Sequence, residues 1–314
     1  MKISVILVSY NTAEMSVEAL TCLFASVGPI ELEVFVVDNA SKDNSVQRIG
    51  RSFPQIKMIV NEKNVGFGRA NNQVLNQVTG EYVLLLNTDA FIEPDTITKT
   101  VNYMQENAKI GVLGVRLVGS DGSQQPSCRH FPKPFNSFVQ RLGLEKLFPA
   151  VTLVDETNWN PQLSQTCDWV PGCYYLVRRA VIDDVGLFDN RYFLYSEEVD
   201  HCFATKKAGW LVGYFADATV VHIGGESAKT QGNVLNQAKQ LSTLQAESEL
   251  IYFRKNHGVF NCILHILLTF IEDIVIFIKD MAKLRIFKTS YFFSASKVLF
   301  ASAIKTNFGK TPVR

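Results

Sequence analysis

The chain has 314 residues, 47% of them hydrophobic and 19% charged, which excludes a disordered polymer and leaves room for one large α/β domain with an appendage, or for two modest domains. A formal net charge of +1 argues against nucleic acid as a partner, yet Arg254 to Arg314 carries ten Lys/Arg against three Asp/Glu, while the rest carries 21 against 27. A basic tail on a mildly acidic body points to an anionic lipid surface.

Ile3 to Val8 is a β-branched apolar run suited to a strand buried on both faces. It is soon interrupted by polar residues, so it reads as a first strand and not as a signal peptide, and catalysis in the cytoplasm is the resulting expectation. After Ser9-Tyr10-Asn11-Thr12 a helical pattern runs to about Ala25. Glu33 to Val37 reads as a second strand ending at Asp38-Asn39, Ser41 to Ile49 as a helix with Ser41 as N-cap, and Lys57 to Val60 as a third strand. Gly66-Phe67-Gly68 turns into a helix from Arg69 to Gln77, and Tyr82 to Leu86 is a fourth strand ending at Asn87-Thr88-Asp89. This alternation predicts a mostly parallel sheet with helices on both faces. Such sheets bind ligands beyond the carboxyl ends of their strands, and the polar clusters fall there.

Beyond Pro94 the spacing predicts a helix over Thr96 to Asn107, a strand over Ile110 to Leu117 and a turn over Gly119 to Gly122. Ser123 to Thr166, with five prolines, reads as an irregular functional loop. A strand over Trp169 to Arg178, helices over Arg179 to Val185 and Glu197 to Ala208, and a strand over Thr219 to Ile223 follow. The six cysteines include no CxxC pair and fit no zinc pattern, so they read as buried thiols in a reducing compartment. Val259 to Ile278 is long enough to span a bilayer, but the adjacent carboxylates Glu272 and Asp273 make spanning costly. Together with Lys279 to Lys305, which carries Phe287, Tyr291, Phe292, Phe293 and Phe300, it reads as interfacial helices in the headgroup region. The alternatives are a membrane span, and packing on the body of the protein or on a second copy in a homo-oligomer.

Asp89, closing a buried strand, suits a divalent cation, Mg²⁺ or Mn²⁺, that bridges a diphosphate; the plainer reading is a turn cap. Asp38 can accept hydrogen bonds from a ribose hydroxyl or a base imide, or simply form an Asx turn with Asn39. Asn64 to Asn71 carries Gly66 and Gly68, which let backbone approach a ligand closely. Its spacing is neither GxGxxG nor Walker, which speaks against dinucleotide and P-loop chemistry. Glu197, Glu198 and Asp200 at a helix start serve either the helix dipole or, as a general base, the attacking hydroxyl of a transfer reaction. His222 reads as a metal ligand, a partner for these acids, or a structural histidine.

The order of these motifs resembles that of the family 2 glycosyltransferases with a GT-A fold, most closely the rhamnosyltransferase-like branch of bacterial polysaccharide biosynthesis. The resemblance rests on SVILVSYN (4–11), VFVVDNASKDNS (34–45), NEKNVGFGRANN (61–72), YVLLLNTDA (82–90), WVPGCYYLVRR (169–179), GLFDNRYFLYSEEVDHCFATKKAGW (186–210) and VVHIGGES (220–227). It implies an α/β GT-A catalytic domain over 1–225, with a nucleotide-sugar half to about 93 and an acceptor half after it. A connecting helix over 226–258 and membrane-associated helices over 259–314 complete the expected organisation. Ser9, Tyr10, Asn11, Asp38, Asn64, Gly66, Asn71 and Asn87 would border the nucleotide-sugar. Asp89 and His222 would hold the metal, and Gly172 and Asp200 would face the acceptor. Glu198 takes the place of the family's catalytic aspartate, with Glu197 as the alternative base. The implied activity is inverting transfer from a nucleoside-diphosphate sugar, such as a rhamnosyl donor, to a lipid-linked saccharide in surface-polysaccharide (O-antigen or capsule) assembly at the cytoplasmic face of the bacterial inner membrane. Rival readings are a nucleotide-sugar-binding scaffold without transfer activity and a nucleotidyltransferase. The second lacks its glycine-rich basic loop after the first strand.

Overall fold

A computed structural model describes residues 1–155, 159–224, 234–282 and 294–312, with the side chains of 234–241 and 294 left aside. The expected aromatic residues Phe287 and Tyr291 to Phe293, and the end of the VVHIGGES block, lie outside the described residues. The chain divides into two compact units.

The first unit comprises Met1–Arg129, Asn158–Asn190 and Glu197–Gln231. It begins with β1 (Lys2–Ser9), α1 (Ala13–Phe24), β2 (Glu31–Asp38), α2 (Ser45–Ser52), β3 (Lys57–Val60), α3 (Phe67–Asn72) and β4 (Tyr82–Leu86). In β1 and β4 residues of both parities are buried, as strands covered on both faces require. Ile3, Val5 and Leu7 share one face with Val34, Val36, Leu84 and Leu86, and Leu20, Leu23, Ile97, Val101 and Met104 pack into the same core. Burying such side chains contributes about 25 cal/mol per Å² of apolar surface. β5 (Ala90–Ile92), α4 (Thr96–Glu106), β6 (Ile110–Val118), β7 (Gln124–Gln125), β8 (Gln165–Cys167), β9 (Tyr174–Arg178), α6 (Arg179–Val185), α7 (Glu197–Lys207) and β10 (Leu211–His222) complete the unit.

The strand order is β3-β2-β1-β4-β9-β6-β10-β5, with β7 on β6 and β8 on β10. The β3-β2-β1-β4 half is parallel, as expected. The other half is mixed: β9 is antiparallel to both β4 and β6, and β5 and β8 are antiparallel to β10. Strand–helix alternation constrains direction only where each helix returns the chain to the same edge. β9 arrives after a long excursion and is free to enter the sheet reversed.

Four local expectations change. The second helix starts at Ser45, because the Ser41 N–H donates to Asp38 and its hydroxyl accepts from the Asn11 N–H. The helix after Gly66 begins at Phe67 and ends at Asn72, where the Asn72 side chain bonds Phe188 and Asn190. The ninth strand starts at Tyr174; Trp169 forms only an isolated bridge to Arg129. The final strand of the sheet is far longer than Thr219 to Ile223, running from Leu211 along β6.

Glu33 ties the amino-terminal edge of the sheet together. It accepts from the Ser4 hydroxyl at 2.8 Å, Lys57 Nζ at 2.8 Å and the Thr79 N–H at 3.0 Å. Burial works against its charge, but these bonds outweigh it and hold the pKa at about 2, against 4.5 ordinarily. A lowered carboxylate pKa stabilises the fold fully above about pH 4.5 and ceases to do so as pH falls through about 2. Solvent screening reduces the worth of the shift to about 1–2 kcal/mol. Glu33→Gln should lower stability by about that amount at pH 7, in denaturant unfolding, and flatten the acid limb of the stability profile.

The second unit gathers His130–Thr157, Arg191–Ser196 and Gly232–Arg314, and so draws on segments inside the stretch assigned above to the catalytic domain. The expected irregular loop contains α5 (Pro134–Leu142), with proline at its first turn and Gly143 as a left-handed cap at φ 64°, the asymmetry that marks helix ends. α8 (Val234–Ala282) is broken at Gly258, where φ is 81° and ψ 175°, and α9 (Ser294–Lys305) packs on it. The polar residues of the apolar stretch face protein: Glu272 pairs with Arg141 of α5 at 3.6 Å, and Asp273 accepts from the Ser296 N–H at 2.9 Å. His265 meets Glu249 at 3.1 Å. Phe260, Leu267, Ile278, Phe300 and Ile304 are exposed. Ser242–Ala282 is long and apolar enough to cross a membrane.

Candidate active site

The parallel register sets Ser9 beside Asp38 and, one strand on the other side of β1, aligns β4, so three strand ends share one edge. At about 4.8 Å per strand, the ends of β2 and β4 lie roughly 10 Å apart. Two non-glycine residues with positive φ occur here, Asn11 (55°) and Ala40 (69°), and two more, Tyr195 (74°) and Ser196 (64°), directly precede α7. Such backbone is costly and collects at functional sites.

Asp38 is buried; its Oδ1 accepts the N–H of Ser41, three residues on, at 2.9 Å, while its Oδ2 is buried with no hydrogen-bond partner. Asn11 Oδ1 accepts the Lys42 N–H at 2.7 Å and so joins the two loops. Ser9 is fully buried, with its hydroxyl turned to Thr12 and Ser16. Its side chain supports the turn that follows β1. Tyr10 stays half-buried beside it. The sequence reading missed Asn39 as the hub of this edge. Its Nδ2 donates to Asn64 at 2.9 Å, and its Oδ1 accepts from the Val65 N–H and from Asn61. Only its place after Asp38 could have signalled that role. Asn64 in turn accepts the Gly66 N–H at 2.9 Å, and Gly66 opens α3 at φ 90° and ψ 162°, a conformation only glycine adopts freely. Asn71 donates to the Phe67 carbonyl and leaves a buried Oδ1 without a partner.

At the end of β4 the Asn87 N–H donates to the Cys173 carbonyl at 2.9 Å, which locks the Asn87-Thr88-Asp89 turn to the start of β9. Antiparallel pairing sets His222 opposite Ala90, and the Ile223 N–H reaches the Asp89 carbonyl at 3.1 Å. His222 Nε2 therefore stands 3.6 Å from Asp89 Oδ1, a buried oxygen without a hydrogen-bond partner. Burial pushes the His222 imidazole below its ordinary value against the pull of Asp89.

Glu197 and Glu198 open α7. Glu197 is buried with Oε2 unpaired, and burial together with the charge of Glu198 pushes its pKa well up. Glu198 is half-buried; burial raises its pKa, and the positive charge of Arg129, stacked 4.2 Å over the Trp169 ring, opposes the rise. Gly172 lies against it, a Cβ there meeting that of Glu198 at 3.9 Å. Asp200 is buried, and its charge adds to the burial that disfavours the Tyr175 phenolate. Cys173 joins the two halves: after burial, the charges of Asp89 and Glu198 both push its thiol up. Arg129 and Cys173 had no recognisable signal in the sequence. A separate hollow of about 330 Å³, lined by Tyr103, Asn107, Lys109 and Gln165, lies by the amino-terminal ends of β6 and β10.

Among the described residues no group of three or more His, Cys, Asp or Glu side chains gathers as a metal site. The pair Asp89 and His222 fits a divalent ion whose other ligands are phosphate oxygens and water, the habit of Mg²⁺-type sites, and the unpartnered Asp89 oxygen suits that role.

The profile of glycosyl transferase family 2 matches residues 4–153. The chain is 28% identical over 209 residues to the N-acetylglucosaminyl-diphospho-decaprenol L-rhamnosyltransferase of Mycobacterium tuberculosis, covering 61% of this chain and 66% of that protein, just under two thirds of its length. It is 30% identical over 130 residues to the poly(ribitol-phosphate) β-N-acetylglucosaminyltransferase TarS of Staphylococcus aureus, covering 40% of this chain and 22% of that one. In fold it is similar to a mannosyltransferase of Pyrobaculum calidifontis solved with GDP-Man and Mn²⁺, at a TM-score of 0.58 and 18% identity over 98% of this chain and 87% of the other. Residues 4–153, the stretch that carries Asp38 and Asp89, form a family 2 glycosyl transferase domain, and the chain is similar in sequence to a rhamnosyltransferase and in fold to a mannosyltransferase.

Proposed function

We propose that this protein transfers a sugar, with inversion, from a nucleoside-diphosphate donor to a hydroxyl of a lipid-linked saccharide in bacterial surface-polysaccharide assembly. The observation that carries the reading is the set of buried acceptor oxygens without partners on Asp38, Asn71, Asp89 and Glu197, since buried acceptors call for a donor or a cation. Asp38 and Asp89, roughly two strand spacings apart, suit the nucleoside and diphosphate ends of one ligand. Glu198 takes the proton from the acceptor hydroxyl as its oxygen bonds to the anomeric carbon and the bond from that carbon to the diphosphate breaks. Asp89 and His222 would hold a divalent ion, which supplies charge neutralisation for the departing nucleoside diphosphate. The name of the mycobacterial relative favours a rhamnosyl nucleotide, such as the dTDP sugar, and a polyprenyl-diphosphate acceptor. The exposed apolar residues of α8 and α9, with the basic excess of the tail, suit an anionic bilayer at the cytoplasmic face of the inner membrane.

The test is transfer by the full chain from dTDP-rhamnose and a panel of other nucleotide sugars to polyprenyl-diphosphate N-acetylglucosamine, on anionic vesicles or in detergent. The expected result is an inverted glycoside, formed faster on vesicles. Donor binding with neither transfer nor hydrolysis would leave a non-catalytic scaffold.

A further inference from the structure

We infer that Gln125, on the short strand β7, is a positioning residue that fixes the tautomer of His222 so that its Nε2 lone pair faces Asp89; the inference rests on the divalent site proposed above. Gln125 Nε2 lies 2.8 Å from the His222 carbonyl oxygen, which can only accept. The amide nitrogen must therefore occupy that side, and the amide oxygen the other. That oxygen lies 2.9 Å from His222 Nδ1. An amide oxygen cannot donate, so Nδ1 carries the proton. In a neutral imidazole Nε2 is then bare. Nε2 is the nitrogen that stands 3.6 Å from the unpartnered Oδ1 of Asp89.

The two bonds act on one residue from one side chain: one holds the backbone of β10 at His222, and the other holds its ring. Pairing of β7 with β6 at Leu117, which in turn registers with Val220 of β10, sets Gln125 in place. Outer partners of this kind orient a ligating ring, and their loss costs about 10–100-fold in metal affinity.

The test uses the metal-free full chain with ¹⁵N-labelled histidine, the His222 signals being assigned by their loss in His222→Asn. Long-range ¹H–¹⁵N correlation should show the Nδ1–H tautomer in the wild type and in Gln125→Glu, whose carboxylate still accepts from Nδ1, and a mixed or reversed tautomer in Gln125→Met. Mn²⁺ binding in the presence of a nucleoside diphosphate, read by electron paramagnetic resonance, should weaken about 10–100-fold in Gln125→Met and only a few-fold in Gln125→Glu, with circular dichroism confirming that both variants fold. An Nε2–H tautomer in the wild type, or wild-type Mn²⁺ affinity in Gln125→Met, overturns the role of Gln125. Absence of Mn²⁺ binding by the wild type itself overturns the divalent site, and the role of Gln125 falls with it.

Discussion

Glu198→Gln should lower kcat by about 10²–10⁴-fold, the usual contribution of a general base, while stabilisation by donor and Mn²⁺ in a thermal shift stays near that of the wild type. Two acids compete for the role, and their surroundings separate them. Glu197 is buried, and burial together with the charge of Glu198 pushes its pKa well up. The higher the pKa of an acid, the smaller the fraction of it free to act as a base. Glu198 keeps access to solvent, lies against Gly172 and feels the cation of Arg129. Its pKa still stands above the ordinary 4.5, raised by burial. A base works when deprotonated, so kcat should rise with pH along an acid limb centred above 4.5. The limb belongs to the Glu197–Glu198 pair and not to either residue alone. Glu198→Gln should remove it. Activity within about tenfold of wild type, with the limb intact, would remove Glu198 from the chemistry.

Asp89→Asn should abolish the stabilisation that Mn²⁺ and a nucleoside diphosphate give the wild type, with metal affinity falling by more than about 100-fold, since even an outer partner is worth about 10–100-fold. The metal-free variant should be as stable as wild type or more so. Asp89 is buried and its Oδ1 has no hydrogen-bond partner, and a buried carboxylate without compensation destabilises the fold that carries it. A residue kept for structure would show the opposite pair of results: lower stability without metal and an undiminished response to it. That outcome, read from thermal melts with and without Mn²⁺, would reduce Asp89 to a turn cap.

The sequence alone determined the parallel half of the sheet and the position of its ligand edge. Runs such as Ile3 to Val8 and Tyr82 to Leu86 can be buried on both faces only within a layered α/β sheet, and the polar residues that follow them must then sit at strand ends. Asp38 and Asp89 were legible as candidates for that reason, and Glu198 from its place at a helix start. Tertiary structure decided what each group faces. Ser9 carries the same polar signal as Asp38, yet its hydroxyl is spent on Thr12 and Ser16. Glu272 and Asp273 count against a membrane-facing helix in sequence, yet Arg141 and Ser296 satisfy them from other segments and leave the apolar side outward. Gln125, from a two-residue strand, sets the ring of a histidine 97 positions away. Hydrophobic period and strand length are local properties that a window of residues records. Hydrogen-bond partners and the balance between neighbouring charges depend on which distant segments the fold brings within about 3–4 Å, and only the folded chain fixes that.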